Sequence, residues 1–401
     1  MDGAAIVNMR KPTTSRTFDQ YADREFIPYI KKQLEDVHRI DVVWDKYLQG
    51  SIKEQTRESR GEGTRRRVSG DTVIPANWSG FLRNNSNKEE LFAFLSEKLS
   101  ALNVDDKQLY ATKQNSVVTA HCELEQMELL QPCEQEEADT RMFLHAAHAA
   151  RLGHQRILLR TVDTDVVVIA IRLFHILDVE ELWIAFGVGK NYRSIPVHDI
   201  AKNLGPLKSA GLSFFHAFTG CDTTSAFAGR GKKTAWDIWS VFPEISDTFK
   251  ALSDSPEEIS SQNMAHIERF VVLMYSKTSS ESTVNNARQK LFYQGSRSLE
   301  NILPTQVALL QHVKRSVYQA GYKWCHLLVP HPHLPSPAVW GWMLKDTFWT
   351  SHWLELPEAS HVCRELIHCG CKKSCRGPCK CYKSNLPCIA LCACSGNCSR
   401  Q

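Results

Sequence analysis

The sequence predicts a mixed α/β protein with a mostly parallel sheet, a helical region behind it and a small cysteine-rich domain at its C-terminal end. Three observations carry this. Short strand-like runs, among them RILLRT (156–161) and LWIAFG (182–187), alternate with helical patterns, as in a parallel sheet. Residues 250–345 read as helical. Nine of the fourteen cysteines fall between Cys369 and Cys398.

The elements follow in order. AAIVNM (4–9) is an apolar opening piece, and Tyr21 to Leu34 has a helix-like pattern. RIDVVWD (39–45) is a β-branched run of the kind buried in a parallel sheet. Residues 46–75 are polar and basic, with Arg57, Arg60, Arg65, Arg66 and Arg67; Lys53, Arg57 and Arg60 share a helical face, which Gly61 and Gly63 cut short. A helix is expected over 88–101, capped by Ser86 or Asn87. SVVTA (116–120) reads as a strand, Ala138 to Arg151 as a helix, and Val166 to Leu177 as a helix or a continued apolar strand. YRSIPV (192–197) is a further strand, and Asp199 to Trp239 is helix-rich. Pro330, Pro332, Pro335 and Pro337 mark a break, followed by a tryptophan-rich connector. The expected domains are 1–245, containing a basic segment at 46–75 and a helix–hairpin–helix at 222–239, then 246–362, then 363–401.

Composition narrows the class. The 401 residues are enough for two or three domains. With 43% hydrophobic and 23% charged residues, most of the chain is expected to be globular. A net charge of +4 does not demand a polyanionic partner, so local basic clusters must carry any such reading. No apolar run reaches membrane-span length: the best, Val166 to Leu177, is short and contains Arg172. MDGAAIVNMRK lacks the pattern of a secretory signal, so an intracellular protein is expected. In a reducing compartment, crowded cysteines point to metal rather than disulfides.

The acidic residues stand at telling places. Asp45 ends the strand run VVWD, Asp163 and Asp165 follow RILLRT, Glu137 and Asp139 open a helix, Asp222 lies in FTGCDTTSAF, and Asp2 precedes AAIVNM. In a parallel α/β sheet, ligands gather beyond the carboxyl ends of strands. Residues two apart in an extended segment face one way, so Asp163 and Asp165 are expected to converge. Clustered acids repel unless a cation neutralises them. Mg2+ favours oxygen ligands, and two such ions roughly 3.5–4 Å apart can stabilise both oxygens of a phosphodiester displacement. Each acid alone also fits a helix cap or a solvated face.

The ordered set resembles the flap-endonuclease-like nucleases of the PIN-like superfamily. That family reads an Asp in the first strand, an Asp ending a VFD-type strand, an E-A-E helix start, a D-x-D turn and a G-x-D before a helix–hairpin–helix. This chain has Asp2 in DGAAIV, Asp45 in VVWD, Glu137 and Asp139 in EAD, Asp163 and Asp165 in DTD, and Asp222 in GCD, over residues 1–240. The resemblance implies a PIN-like three-layer core with two Mg2+ (or Mn2+) ions held by Glu137, Asp139, Asp163, Asp165 and Asp222. Asp45 and Asp2 would complete the catalytic set. It implies an arch at 46–75, with Lys53, Arg57 and Arg60 on duplex or branched DNA, and a hairpin, GRGKKTA, whose Arg230, Lys232 and Lys233 track the backbone. Asp139 stands where the family has Glu, Lys46 where it has Gly and Thr223 where it has Tyr; one residue precedes Asp2, so most of the family's first strand is expected to be missing.

The C-terminal cysteines are Cys369, Cys371, Cys375, Cys379, Cys381, Cys388, Cys392, Cys394 and Cys398, with C-x-C recurring. Three tetrahedral zinc ions need twelve ligand positions, which nine thiolates supply if three bridge. Two zincs with one spare cysteine is the alternative. Lys372, Lys373, Arg376, Lys380 and Lys383 offset the negative charge. The run CRGPCKCYKSNLPC resembles the CXC domains of the tesmin type. That implies about three Zn2+, DNA binding and a nuclear location. Pro378 stands where that branch has its DNA-contacting Tyr, leaving Lys372, Lys373, Arg376 and Tyr382 as the contacts.

His145 and His148 could pair on a zinc ion or lie at a core edge; Cys221 reads as a small buried residue, and Trp340, Trp342, Trp349 and Trp353 as packing. Two functions emerge: a metal-dependent, structure-selective nuclease tethered to DNA by its zinc module, or a catalytically inactive DNA-binding or scaffold protein on the same fold. The combination of modules leaves a mobile-element origin open.

Overall fold

The computed structural model describes residues 1–352, apart from 55–56, 58–60, 62, 121–125 and 294–301, and then residues 368–371, 379–383, 388 and 392–394. The chain divides into two compact units, Met1–His352 and Trp353–Gln401.

Two three-stranded sheets organise the first unit. β1 (Arg39–Val42) runs parallel to β2 (Gln108–Lys113), which pairs antiparallel with β3 (Ser116–Ala120). β4 (Arg156–Thr161) runs parallel to β5 (Glu181–Phe186), which pairs antiparallel with β6 (Arg193–Pro196). Residues 1–3 lie between the sheets. Asp2 bridges Val43 in parallel, and its amide donates to the carbonyl of Arg160 at 3.0 Å. The chain thus works outward on one side through β1 to β3 and on the other through β4 to β6. This reversal is a topological switch point, where α/β sheets gather ligands. The sheets are mixed rather than mostly parallel, because β3 and β6 return through tight connections that only antiparallel pairing permits.

Helices cover this framework. The apolar piece AAIVNM is helical: Gly3–Met9 is a short helix, and the Asp2 carboxylate accepts its Ala5 amide at 3.0 Å. Phe18–Tyr21, Ala22–Phe26 and Ile27–Glu35 form a continuous helical stretch that buries Phe18, Tyr21, Phe26 and Ile30. Asn85–Ser100 starts three residues before the expected helix, and Asn84 caps it. Asn87 is instead buried, its amide donating to the carbonyls of Thr64 and Phe81. The 166–177 run resolves as helix, Thr164–Leu173, with Asp163 as its cap. Val197–Phe218 is broken at Gly205, whose φ of 75° and following Pro206 interrupt the helical path.

The main core runs without a break from Val43 and Ala138 to Leu309, Trp324 and Trp340. The expected boundary after 245 is therefore absent, and the division falls after His352. Trp239, Phe249 and Phe270 join the two stretches, with Trp239 and Phe249 centroids 5.0 Å apart. Each fully buried aromatic contributes about 1.5–3 kcal/mol, so Phe249→Ala would cost about 3–5 kcal/mol. A second core, from Ile6 to Ala120, lies on the β1–β3 side. Trp340 and Trp342 are buried and Trp349 half-buried, in or before a hairpin of β7 (Trp342–Lys345) and β8 (Phe348–Ser351); Trp353 lies outside the described residues. Among the described residues, no helix is long and apolar enough to cross a membrane.

Candidate functional site

A cavity of about 470 Å³ opens beyond the carboxyl ends of β1 and β4, at the switch point. Its walls include Asp2, Asp45, Glu137, Asp139, Asp163 and Asp222. Each acid arrives by a different route. Asp2 lies within the inter-sheet segment, Asp45 follows β1, and Asp163 follows β4. Glu137 stands at the N-cap position of the Ala138–Arg151 helix without a side-chain capping bond, with Asp139 in the first turn. Asp222 sits in the loop after Phe218, where Gly220 holds a φ of 109°. A Cβ on Gly220 would lie 2.9 Å from that of Ala226, so the loop's path requires glycine.

Three of these carboxylates also cap helices, each through Oδ1. Asp2 accepts the amide of Ala5 at 3.0 Å, Asp45 that of Ala138 at 2.9 Å and Asp163 that of Asp165 at 2.8 Å. Helix N-termini favour negative charge, so local structure supports the acids that the cavity collects. Asp163 and Asp165 do not lie in an extended segment. Asp163 is the cap, and Asp165, in the first helical turn, is turned toward His216, whose Nε2 lies 2.8 Å from Asp165 Oδ1. Asp165 lies behind the cavity wall, yet its charge acts on Asp163 and Glu137.

The electrostatics are those of a crowded anionic site. Burial, followed by the charge of Asp45, raises the Asp2 carboxyl to about 7. Burial and then Asp163 raise Asp139 well above the usual range; burial and then Asp165 raise Asp163; burial raises Asp45. Glu137 goes the other way. Burial opposes its ionisation, but Lys53 overrides that and holds it below the ordinary value. Lys53 Nζ lies 2.7 Å from Glu137 Oε2, with both side chains mostly out of solvent. Among the described residues no three carboxylates bring their oxygens within 4.8 Å of one another. The acids surround a volume rather than a point.

The basic residues are placed unevenly. Lys53 and Arg57 line the acidic cavity, where Arg57 pairs with Glu136. Both Arg57 and Lys88 sit over the Tyr47 ring, at 5.1 and 4.1 Å. Arg60 lies outside the described residues. The 222–239 stretch connects Val197–Phe218 to a helix at Lys232–Val241 through a turn bridging Phe227 and Arg230. Lys232 turns inward, donating to the carbonyls of His216 and Gly220 and to Thr219 Oγ1 at 2.6–3.0 Å, and so caps the helix ahead of it. Arg230 stacks on Tyr275 at 5.0 Å. Lys233 is the exposed member of the three, loosely paired with Asp237 at 3.5 Å.

His145 and His148 are buried, and His145 Nδ1 lies 2.7 Å from Asp41, which Arg39 grips with two further hydrogen bonds. Cys221 is half-buried, its sulfur 3.2 Å from Thr224 Oγ1. Sequence reading missed Tyr47, Lys88 and His216. Nothing local marks them, because Lys88 meets Tyr47 across 41 positions and His216 meets Asp165 across 51. The Asp222 loop also has distant support: Thr223 donates to Gln319 at 2.9 Å, and His312 Nε2 lies 2.7 Å from the carbonyl of Phe218.

The second unit carries a cysteine cluster that could hold metal. The ligand atoms of Cys369, Cys381, Cys388 and Cys392 lie within 4.8 Å of one another, as do those of Cys369, Cys371 and Cys379. Cys369 belongs to both groups. Sulfur separations are 3.8 Å for Cys369–Cys388 and 3.7 Å for Cys381–Cys392. A disulfide needs about 2.05 Å, whereas thiolates at about 2.3 Å from a tetrahedral zinc stand ~3.8 Å apart. Cys394 is also described, and Tyr382 is exposed beside Cys381 on a short helix, Lys380–Lys383. Lys372, Lys373, Arg376, Cys375 and Cys398 lie outside the described residues.

Comparison with protein-family models, with curated proteins and with solved structures finds no match for this chain.

Proposed function

We propose that the first unit is a divalent-metal-dependent phosphodiesterase acting on DNA, and that the second is a zinc-cluster module that binds DNA. The observation that carries the first reading is the gathering of Asp2, Asp45, Glu137, Asp139, Asp163 and Asp222 around one cavity at the switch point of the sheet. The resemblance to flap-endonuclease-like nucleases of the PIN-like superfamily supports it through the same acids in the same order.

The residues fit hard divalent ions. Four carboxyls, Asp2 buried and Asp45, Asp139 and Asp163 half-buried, resist ionisation through desolvation and crowding, and cations relieve that resistance. The spacing of the acids leaves room for ions that keep some of their water, as Mg2+ does. Glu137, Asp139, Asp163 and Asp222 would hold two Mg2+ or Mn2+ ions, with Asp165 behind them, and the ions would supply charge to stabilise a phosphodiester displacement. His216 holds Asp165 in one orientation, and Lys53 carries positive charge among Glu137, Asp139 and Asp222. In the second unit, thiolates at the edge length of a zinc tetrahedron, with Cys369 shared by two groups, support a cluster with bridging sulfurs. Zinc, DNA binding by that module and a nuclear location belong to the same proposal.

One observation favours a second reading, a scaffold without catalysis. Lys53, the helix caps and Arg57 already offset part of the acid cluster. Cleavage of labelled flap, hairpin and single-stranded DNA in Mg2+ separates the two. The nuclease reading expects cutting by the full chain and none by Asp163→Ala/Asp165→Ala. DNA bound equally by both proteins and cut by neither leaves the scaffold.

A further inference from the structure

Part of the cavity wall is not explained by its acids. Beside the carboxylates it is lined by Ala4, Ala5, Met9, Val162 and Val188. Val162 and Val188 are 48% and 44% exposed, although Val162 directly precedes Asp163. Exposed aliphatic side chains beside an ion-binding wall contribute nothing to holding ions. They lower the cost of placing something flat and apolar there.

The surface extends along the turn between β5 and β6. Tyr192 is 51% exposed, and the Arg160 guanidinium lies over its ring at 5.3 Å. Arg160 also donates to the carbonyl of Ala185 at 2.8 Å and reaches the sulfur of Met9 at 3.5 Å, which links the tyrosine to the cavity rim. The turn is fixed by Gly187, whose φ is 78°; a Cβ there would sit 2.5 Å from the carbonyl oxygen of Asn191. Lys190 and Arg193 are exposed on the same seven residues. A rigid turn thus presents an aromatic ring, an aliphatic side chain and two cations next to the acidic cavity. This is the chemistry that holds single strands, with bases on aromatic faces and phosphates beside cations.

We infer that the Gly187–Arg193 turn, with Val162 and Met9, is a stacking platform for an unpaired base of the DNA strand whose phosphate enters the carboxylate cavity. The inference rests on the phosphodiesterase reading and narrows its substrate to strands with a single-stranded or frayed end. A base within a duplex keeps both faces stacked on its neighbours and has none to offer Tyr192.

The test uses the full chain, in Ca2+ in place of Mg2+ so that DNA is bound without being cut. A short single strand carrying one 5-iodouracil is photocrosslinked, and the adduct is mapped by mass spectrometry. The inference expects the adduct on the 187–193 peptide. Tyr192→Ala should lose at least tenfold in yield and about 5- to 160-fold in single-strand affinity, the range of one base–aromatic stack. Tyr192→Phe should keep both, and duplex affinity should be unchanged in either variant. Adducts confined to other peptides, or equal losses on single strand and duplex, overturn it. The platform and the chemistry fail separately: a crosslink at Tyr192 without cleavage in Mg2+ rejects the phosphodiesterase alone.

Discussion

The two candidate metal centres are built in opposite ways. In the second unit, ligands come from 24 consecutive positions, Cys369 to Cys392, with sulfurs 3.7–3.8 Å apart. In the first, they come from Asp2 to Asp222 and surround about 470 Å³. The cysteine segment has little chain with which to bury a core, so on the proposed reading its thiols hold it together through metal. The carboxylate site is held in place by a sheet, by helix caps and by two hydrophobic cores. On the proposed reading, metal would be structural where the fold is poor and optional for folding where the fold is rich.

The largest effect that could break this contrast is metal removal. A zinc-selective chelator should abolish the structure of the second unit, since structural zinc contributes about 10–16 kcal/mol to such modules. The melting transition of the first unit should stay within a degree or two. Cys369→Ser should lose more zinc than Cys371→Ser by elemental analysis, because Cys369 belongs to both groups. Equal losses would argue against a bridging role.

Next in size is Lys53→Ala, which leaves Glu137 buried without its partner. Breaking such a pair costs about 3–5 kcal/mol. Thermal melts without added divalent ions should show that loss, and Mg2+ should restore most of it. A loss that Mg2+ leaves unchanged would count against a cation site beside Glu137. His216→Ala frees Asp165 to rotate. Outer-shell changes of this kind weaken metal affinity about 10- to 100-fold, which a Mg2+ titration of cleavage or of thermal shift would show, with the fold intact.

The smallest effect is on pH. Asp2 titrates near 7 when folded, against an ordinary value of 3.8. The folded chain holds this proton after the unfolded chain has released it, so stability declines as pH rises from about 4 to about 7. Asp45, Asp139 and Asp163 shift the same way, while Glu137 shifts oppositely. Without added divalent ions, the first unit should therefore melt several degrees lower at pH 8 than at pH 5. Mg2+ should narrow the gap, and a gap that it widens would contradict a cation among these acids.

Legibility follows the same divide. Thiol spacing is local, and so is helix and strand periodicity: β3, β4 and Ala138–Arg151 coincide with the sequence reading to the residue. β2 was missed because QLYATK alternates poorly, and its inner Thr112 is a polar residue whose hydroxyl accepts the amide of Trp44 at 2.9 Å. The acids could be named from their places after strands and at helix starts. What they face could not. Lys53 meets Glu137 across 84 positions, and His216 meets Asp165 across 51. Lys232 read as a contact to the nucleic-acid backbone because nothing in GRGKKT reveals the helix end it caps.

Residues 1–3 carry a consequence in the time domain. They join Val43 on one sheet to Arg160 on the other. Each three-stranded sheet can assemble from its own stretch of chain, 39–120 or 156–196, whereas the clasp between them closes loops from residue 2 to residues 43 and 160. Long loops cost the most entropy and form late. The sheets should mature first as separate leaves, and the amide of Asp2, bonded to the carbonyl of Arg160, should be the last to resist pulsed hydrogen exchange during refolding. Asp45 and Asp163 would stand on different leaves until then, so the fold would finish before the site does.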